Sequence, residues 1–238
     1  MDDRNPYSPN KIANHIQRII DDKPIFAQWD ITRKDKMIDE WEEWYFNEFH
    51  HSAPQNLRFH STLIALNWLK THNKPPFFMI ETGTSRNETW NPNDGMSTVV
   101  FGAFCKYYDG QLISVDCNAT NINRAKVLTS NWADVVNFVQ SDSVAFLASL
   151  SKKIDFLYLD SMDYEWHIGD LAERSQEHCL KEIQMAYPYL HKTSVVLIDD
   201  FWLPKGGKGT LARQFLLNRG WVELYRYQQG VYVSCASI

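Results

Sequence analysis

The chain has 238 residues, 44% of them hydrophobic, which suffices for one sizeable core or for one domain with an N-terminal extension. The formal net charge is −5 and there is no polybasic block, which argues against a nucleic-acid backbone as the main partner. Cys105, Cys117, Cys179 and Cys235 form neither a C-x-x-C pair nor a zinc-like spacing, so they read as reduced thiols of a cytoplasmic protein. The opening "MDDRNPYSPNK" lacks the apolar centre of a signal peptide, and no apolar run approaches the length of a membrane span.

Residues 1 to about 75 read as a helical extension. "NKIANHIQRII" spaces Ile12, Ile16, Ile19 and Ile20 as a helix does, and "DKMIDEWEEWYFNEFHH" gathers Met37, Trp41, Trp44 and Tyr45 near one side. Two roles stand open for these aromatic helices, a lid or the contact of a homodimer. "LRFHSTLIALNWLK" repeats the helical pattern before "NKPPFF" breaks it. From there the chain alternates. Strands are expected at 77–82, 111–116, 135–140, 154–160 and 194–199. Helices are expected at 97–108, in "NINRAKVLTSNW", in "SVAFLASL", over 166–190 and in "GTLARQFLLNRG". Strand–helix alternation implies crossovers and a parallel sheet, and near-continuous apolar runs suit strands covered on both faces. The last two strands, "WVELYRY" and "VYVSC", are joined only by Gln228, Gln229 and Gly230, so they form an antiparallel hairpin. The expected domain, 76–238, is therefore an α/β Rossmann-like fold of five parallel strands plus a C-terminal hairpin, with helices on both faces.

In an open parallel sheet, ligands bind beyond the carboxyl ends of the strands. Each of the five expected strands ends in an acid within about two residues: Glu81, Asp116, Asp142, Asp160 and the pair Asp199–Asp200. Asp116 suits the two hydroxyls of a nucleoside ribose, with a helix cap as the plainer reading. Asp142 and Ser143 suit an adenine edge, a helix N-cap, or both. "ETGTSR" has one glycine where a dinucleotide fingerprint has three, and Asp116 lies 33 residues beyond Gly83 rather than the roughly 20 of a compact unit. A loop insertion over 86–96 is implied, with Trp90 placed to cover a ligand or merely to sit on the surface. Asp160, Asp199 and Asp200 close two strands that would be neighbours. Three converging carboxylates call for a cation, and oxygen-only ligation suits Mg²⁺, Ca²⁺ or Mn²⁺. The alternative is that one aspartate caps a turn and the other faces solvent. "PKGGKGT" fails the phosphate-loop spacing, so Lys205 and Lys208 read as solvated lysines or as contacts for an anionic part of a substrate. Phe201 and Trp202 wall a pocket or belong to the core.

"MIETGTSR", "LISVD", "VQSDS", "FLYLDS" and "VVLIDDF", followed by the hairpin, resemble class I S-adenosylmethionine-dependent methyltransferases over about residues 77–235. Within that class the pieces are most similar to metal-dependent small-molecule O-methyltransferases of the catechol and macrolide-sugar types and to the cephalosporin-hydroxylase-like group of natural-product biosynthesis. The resemblance implies that Glu81, Gly83, Thr84 and Ser85 contact the methionine part of the cofactor, Asp116 the ribose, and Asp142 with Ser143 the adenine. It implies that Asp160, Asp199 and Asp200 hold a divalent metal, Mg²⁺ first. The expected reaction is methyl transfer to a hydroxyl of a small-molecule acceptor, with neither nucleic acid nor membrane as partner. His167, His178 and Asp163 are the candidates for a general base; a spacing of 11 would set the two histidines on one helix face. Two other functions compete. A nicotinamide-dependent oxidoreductase is disfavoured by the single glycine and the hairpin. A non-catalytic binding module on the same sheet is not.

Overall fold

The computed structural model describes residues 40–49, 58–91 and 96–234. The expected helix at "NKIANHIQRII", with Met37 and Cys235, lies outside them.

The apolar run after the proline break forms β1 (Phe77–Thr82), buried along its whole length. It pairs in parallel with β2 (Gly110–Asp116) on one side and β4 (Ile154–Leu159) on the other. β3 (Val136–Gln140) extends the sheet beyond β2, and β5 (Leu190–Ile198) extends it beyond β4. β6 (Trp221–Arg226) and β7 (Gly230–Ser234) close the far edge as the expected hairpin, with β7 antiparallel to β5. The seven-stranded order is β3-β2-β1-β4-β5-β7-β6.

Because successive side chains of a strand point to opposite faces, each buried strand feeds two cores. Phe156 and Tyr158 of β4, with Val195 and Leu197 of β5, join one; Leu157, Leu159, Val196 and Ile198 join the other. The first core is covered by α1 (Glu40–Phe49), α2 (Arg58–His72) and α3 (Ser97–Tyr107). α4 (Ala119–Leu128) follows β2 and packs against β3. The second core is covered by the short α5 (Ser143–Ala148), by α6 (Leu171–Ala186) and by α7 (Thr210–Leu217). No helix among the described residues is long and apolar enough to cross a membrane.

α1 and α2, which the sequence reading assigns to an extension, share the sheet's first core. Trp68 and Leu66 are fully buried there, and Trp41 stacks on Tyr45 and meets Phe104 of α3 edge-on. α2 packs on β5 and β7, and Asn73 at its end donates to the Thr193 carbonyl of β5 at 2.8 Å. That docking carries Arg58, the first residue of α2, to the carboxyl ends of the strands.

Candidate active site

The chain runs outward from β1 to β3, then returns across the sheet to β4, so the strand order reverses between β1 and β4. A parallel sheet opens a crevice at that reversal, beyond the strand ends. A cleft of about 460 Å³ lies there, lined by Gly83–Asn87, Asp116–Asn118, Tyr158, Asp160, Asp163, Asp199, Asp200, Gln229 and Arg58, among others. The β1 end turns at Gly83, whose φ is +83° and whose missing Cβ would lie 2.2 Å from the Asp160 carbonyl oxygen. No other residue fits that approach.

One half of the cleft is made of neutral polar groups around Asp116. Its Oδ2 accepts from the Thr84 backbone at 3.3 Å and from Asn121 at 3.2 Å, and its Oδ1 accepts from the Asn118 backbone at 2.7 Å. The helix cap is Asn118, which accepts from Thr120 at 2.8 Å, so capping does not occupy Asp116. Thr84 and Ser85 are held by Thr98 of α3: the Ser85 N–H donates to Thr98 Oγ1 at 2.7 Å. Thr98 in turn donates to Glu81, which also accepts from Ser114 at 2.6 Å. Burial pushes the Glu81 carboxyl up to about 7, against the lowering effect of these hydroxyls. Glu81 thus lies behind the cleft wall and acts on it through Thr98.

The other half is charged. One carboxylate oxygen from each of Asp160, Asp199 and Asp200 lies within 4.8 Å of the other two. Arg58 forks Asp199, with Nε at 3.2 and 3.0 Å from its two oxygens and Nη2 at 2.9 Å, and reaches Asp200 at 3.7 Å. Lys208 donates to Asp160 and lies 3.3 Å from Asp200. The Tyr158 hydroxyl is 3.1 Å from Asp160 Oδ2 and 3.1 Å from Asp199 Oδ2, and accepts from Gln229 at 3.0 Å. A phenol has one proton for two carboxylates, so it donates to one of them at a time. Burial, only partly offset by Lys208, holds Asp160 well above the usual carboxylate range. Burial also raises Asp200, with Asp199 adding to the effect. At Asp199 burial pushes upward as well, but Arg58 and then Lys208 outweigh it and hold the acid at about 2.

The loop that returns Lys208 follows directly from the acid pair. Asp200 has φ +58°, and Gly207, at φ +66°, would place a Cβ 1.4 Å from the Asp200 carbonyl oxygen. The Lys208 N–H then donates to that carbonyl at 3.1 Å. Lys208 is 2% exposed, so it is no solvated turn lysine; Lys205 is, paired with Glu173 at 2.8 Å.

The remaining expected site residues fall elsewhere. Asp142 caps α5, accepting from Ala145 at 2.9 Å, and Ser143 is 3.0 Å from His178 Nε2; neither lines the cleft. His178 lies behind the wall beside buried Glu182, while His167 is exposed near Glu165. The two histidines do not share a helix face, because α6 starts at Leu171, beyond His167. Asp163 lines the cleft, with both oxygens 2.9 Å from Arg86. Trp90 is 41% exposed against Phe49, away from the cleft lining; Phe201 is core and Trp202 is exposed. Around the acid trio, Arg58, Tyr158 and Gln229 had no site role in the sequence reading, and Lys208 was weighed there only as a solvated lysine or a contact for an anionic part of a substrate. Only Tyr158 carries a signal, as the one polar side chain in the run Phe156–Leu159 of β4, and Gln229 sits at a hairpin tip that is otherwise merely short.

Residues 93–201 match a family model described as a methyltransferase domain. No curated protein sequence matches the chain. Among solved structures, the S-adenosylhomocysteine-bound methyltransferase PaMTH1 of Podospora anserina aligns with a TM-score of 0.54 at 11% identity, over 94% of this chain and 95% of that one. A TDP-rhamnose 3'-O-methyltransferase of calicheamicin biosynthesis aligns at 0.53 and 17% identity, over 79% and 86%. A protein titled as an rRNA methylase of Clostridium thermocellum aligns at 0.50 and 10% identity, over 72% and 95%. At these identities the likeness is one of fold.

Proposed function

We propose that this chain, which carries a methyltransferase domain on the class I S-adenosylmethionine-dependent fold, moves the sulfonium methyl group of that cofactor to a hydroxyl of a small-molecule acceptor. The observation that supports the reading is the two-part cleft: a neutral polar half around Asp116 joins a charged half around Asp160 within one cavity.

The neutral half suits the cofactor. Asp116 presents a carboxylate to the ribose hydroxyls, and the turn at Gly83 lets the backbone of residues 83–85 approach the methionine end. Cys117, Asn118 and Asn121 line the end where the adenine would lie. The charged half suits the acceptor. A hydroxyl placed beside Asp160 and Asp200 meets carboxylates that can take its proton, while Arg58 provides positive charge for the oxygen left behind. The cleft's main contribution is alignment of that oxygen with the methyl carbon and the sulfur.

A divalent metal is the further group that the resemblance implies. Three carboxylates are the right donors for a hard ion. Here, however, each of their six oxygens lies against Arg58, Lys208 or Tyr158. The residues as arranged do not fit the ion.

Calorimetry with S-adenosylmethionine, S-adenosylhomocysteine and NAD tests the cofactor. Binding of the first two and silence with NAD is expected; the reverse pattern would point to the oxidoreductase reading. A screen of sugar, phenol and peptide acceptors then tests the transfer, scored by one S-adenosylhomocysteine per methylated product. Turnover of any acceptor would exclude a purely non-catalytic module, and methylation confined to nitrogen or to RNA would remove the hydroxyl assignment.

A further inference from the structure

We infer that Lys208 and Arg58 take the place of a divalent cation in this cleft, so that the Asp160–Asp199–Asp200 trio is a closed ion cluster that needs no metal. The inference rests on the methyl-transfer reading of the cleft and concerns what neutralises its acidic half.

Three observations carry it. First, the ammonium of Lys208 bridges Asp160 and Asp200, the two acids that an ion shared by the trio would have to bridge. Mg²⁺ takes oxygens at about 2.0–2.1 Å in near-octahedral geometry, so ion and ammonium cannot both bridge that pair. Second, the lysine has nowhere to go. It is 2% exposed, its one further acceptor among the described residues is the Met162 carbonyl at 3.5 Å, and displacing it would take a buried ammonium off the two carboxylates that pair with it. Third, the backbone is built to bring it there. The left-handed Asp200 and the positive φ of Gly207 fold the loop straight back on the acid pair. A glycine is required at 207 for that path alone. Arg58 supplies the second charge. Its fork satisfies both oxygens of Asp199, the acid most deeply buried, and a guanidinium cannot be deprotonated to make way for an ion. Three negative and two positive groups leave the cluster formally at −1. Adding a dication without displacing a side chain would turn it to +1.

The test uses the full chain and Mn²⁺ followed by electron paramagnetic resonance, with S-adenosylhomocysteine present throughout and its binding heat recorded separately. Wild type is expected to take up no stoichiometric Mn²⁺ up to about 1 mM. Lys208→Met should bind Mn²⁺ at least about tenfold more tightly than wild type, because a positive neighbour within a few ångströms has been removed. Arg58→Met, at a partly exposed position that tolerates change better, should shift in the same direction. Should Lys208→Met fail to fold, Arg58→Met and the wild-type titration decide. The inference is overturned if wild type binds one Mn²⁺ with a Kd below about 10 µM and Asp199→Asn or Asp200→Asn abolishes that binding. It is equally overturned if neither folded variant gains affinity. Absence of S-adenosylhomocysteine heat would instead sink the methyl-transfer reading, and the Mn²⁺ result would still stand by itself.

Discussion

Asp116 and Glu81 illustrate how two acids of one rim come to differ. Asp116 is partly solvated and accepts three hydrogen bonds that fix it at the neutral half of the cleft. Asp116→Ala removes a charged acceptor, and charged hydrogen bonds are worth about 1.5–3 kcal/mol, so S-adenosylhomocysteine affinity should fall roughly ten- to a hundredfold by calorimetry. Glu81 is fully buried and keeps its proton up to about pH 7, whereas the unfolded chain loses it near 4.5. Its contribution to stability is therefore complete below pH 4.5 and declines as pH rises to 7. The whole effect is on the order of 3 kcal/mol, at about 1.4 kcal/mol per pH unit. Glu81→Gln should flatten that part of the profile of urea midpoint against pH, since Thr98 and Ser114 can turn their hydroxyls to suit an amide. A decline of unchanged slope in the variant would show that another group sets it. The position of Asp116 was legible because it follows directly from strand alternation. The depth of Glu81 was not, because burial behind α3 depends on where Thr98 lands.

At the scale of elements, every strand of the parallel sheet and the closing hairpin could be read from apolar runs and link lengths, because a strand buried on both faces has little freedom of composition. Helix limits were harder. The pattern over 166–190 is resolved into a loop, then α6, then the start of β5, and this separates His167 from His178. Replacing His167 by Ala should leave kcat/KM within about twofold of wild type, as expected of an exposed residue outside the cleft. α2 is the least legible element. Its residues are buried nearly all round, polar His60, Ser61 and Thr62 included, which its apolar spacing does not foretell, while its one decisive residue is a terminal arginine whose partner Asp199 lies 141 residues away. Trp68→Ala in α2 should cost about 3–5 kcal/mol, the usual penalty for removing a large aromatic from a packed core. It should also lower kcat/KM for the acceptor if α2 is what presents Arg58 to the cleft; unaltered turnover in a destabilised but folded variant would separate the two roles.

For the whole molecule, the cleft is the product of distant parts of the chain. Asp160 and Asp199 come from the middle of the sheet, Arg58 from the start of α2, Lys208 from the loop after β5, and Gln229 from the tip of the last hairpin. Strand order told where the rim lies; it could not tell which side chains from outside the sheet would reach it, since no periodicity encodes a meeting of the two ends. This has a consequence during synthesis. Until residues 221–234 leave the ribosome, β5 is the outermost strand of the sheet, with bare amides along one side. A product cut short at about residue 218 should therefore self-associate on size-exclusion chromatography, and it lacks the Gln229 amide that donates to Tyr158, so that in this fold the last support of the charged rim and protection from aggregation are acquired in the same late step.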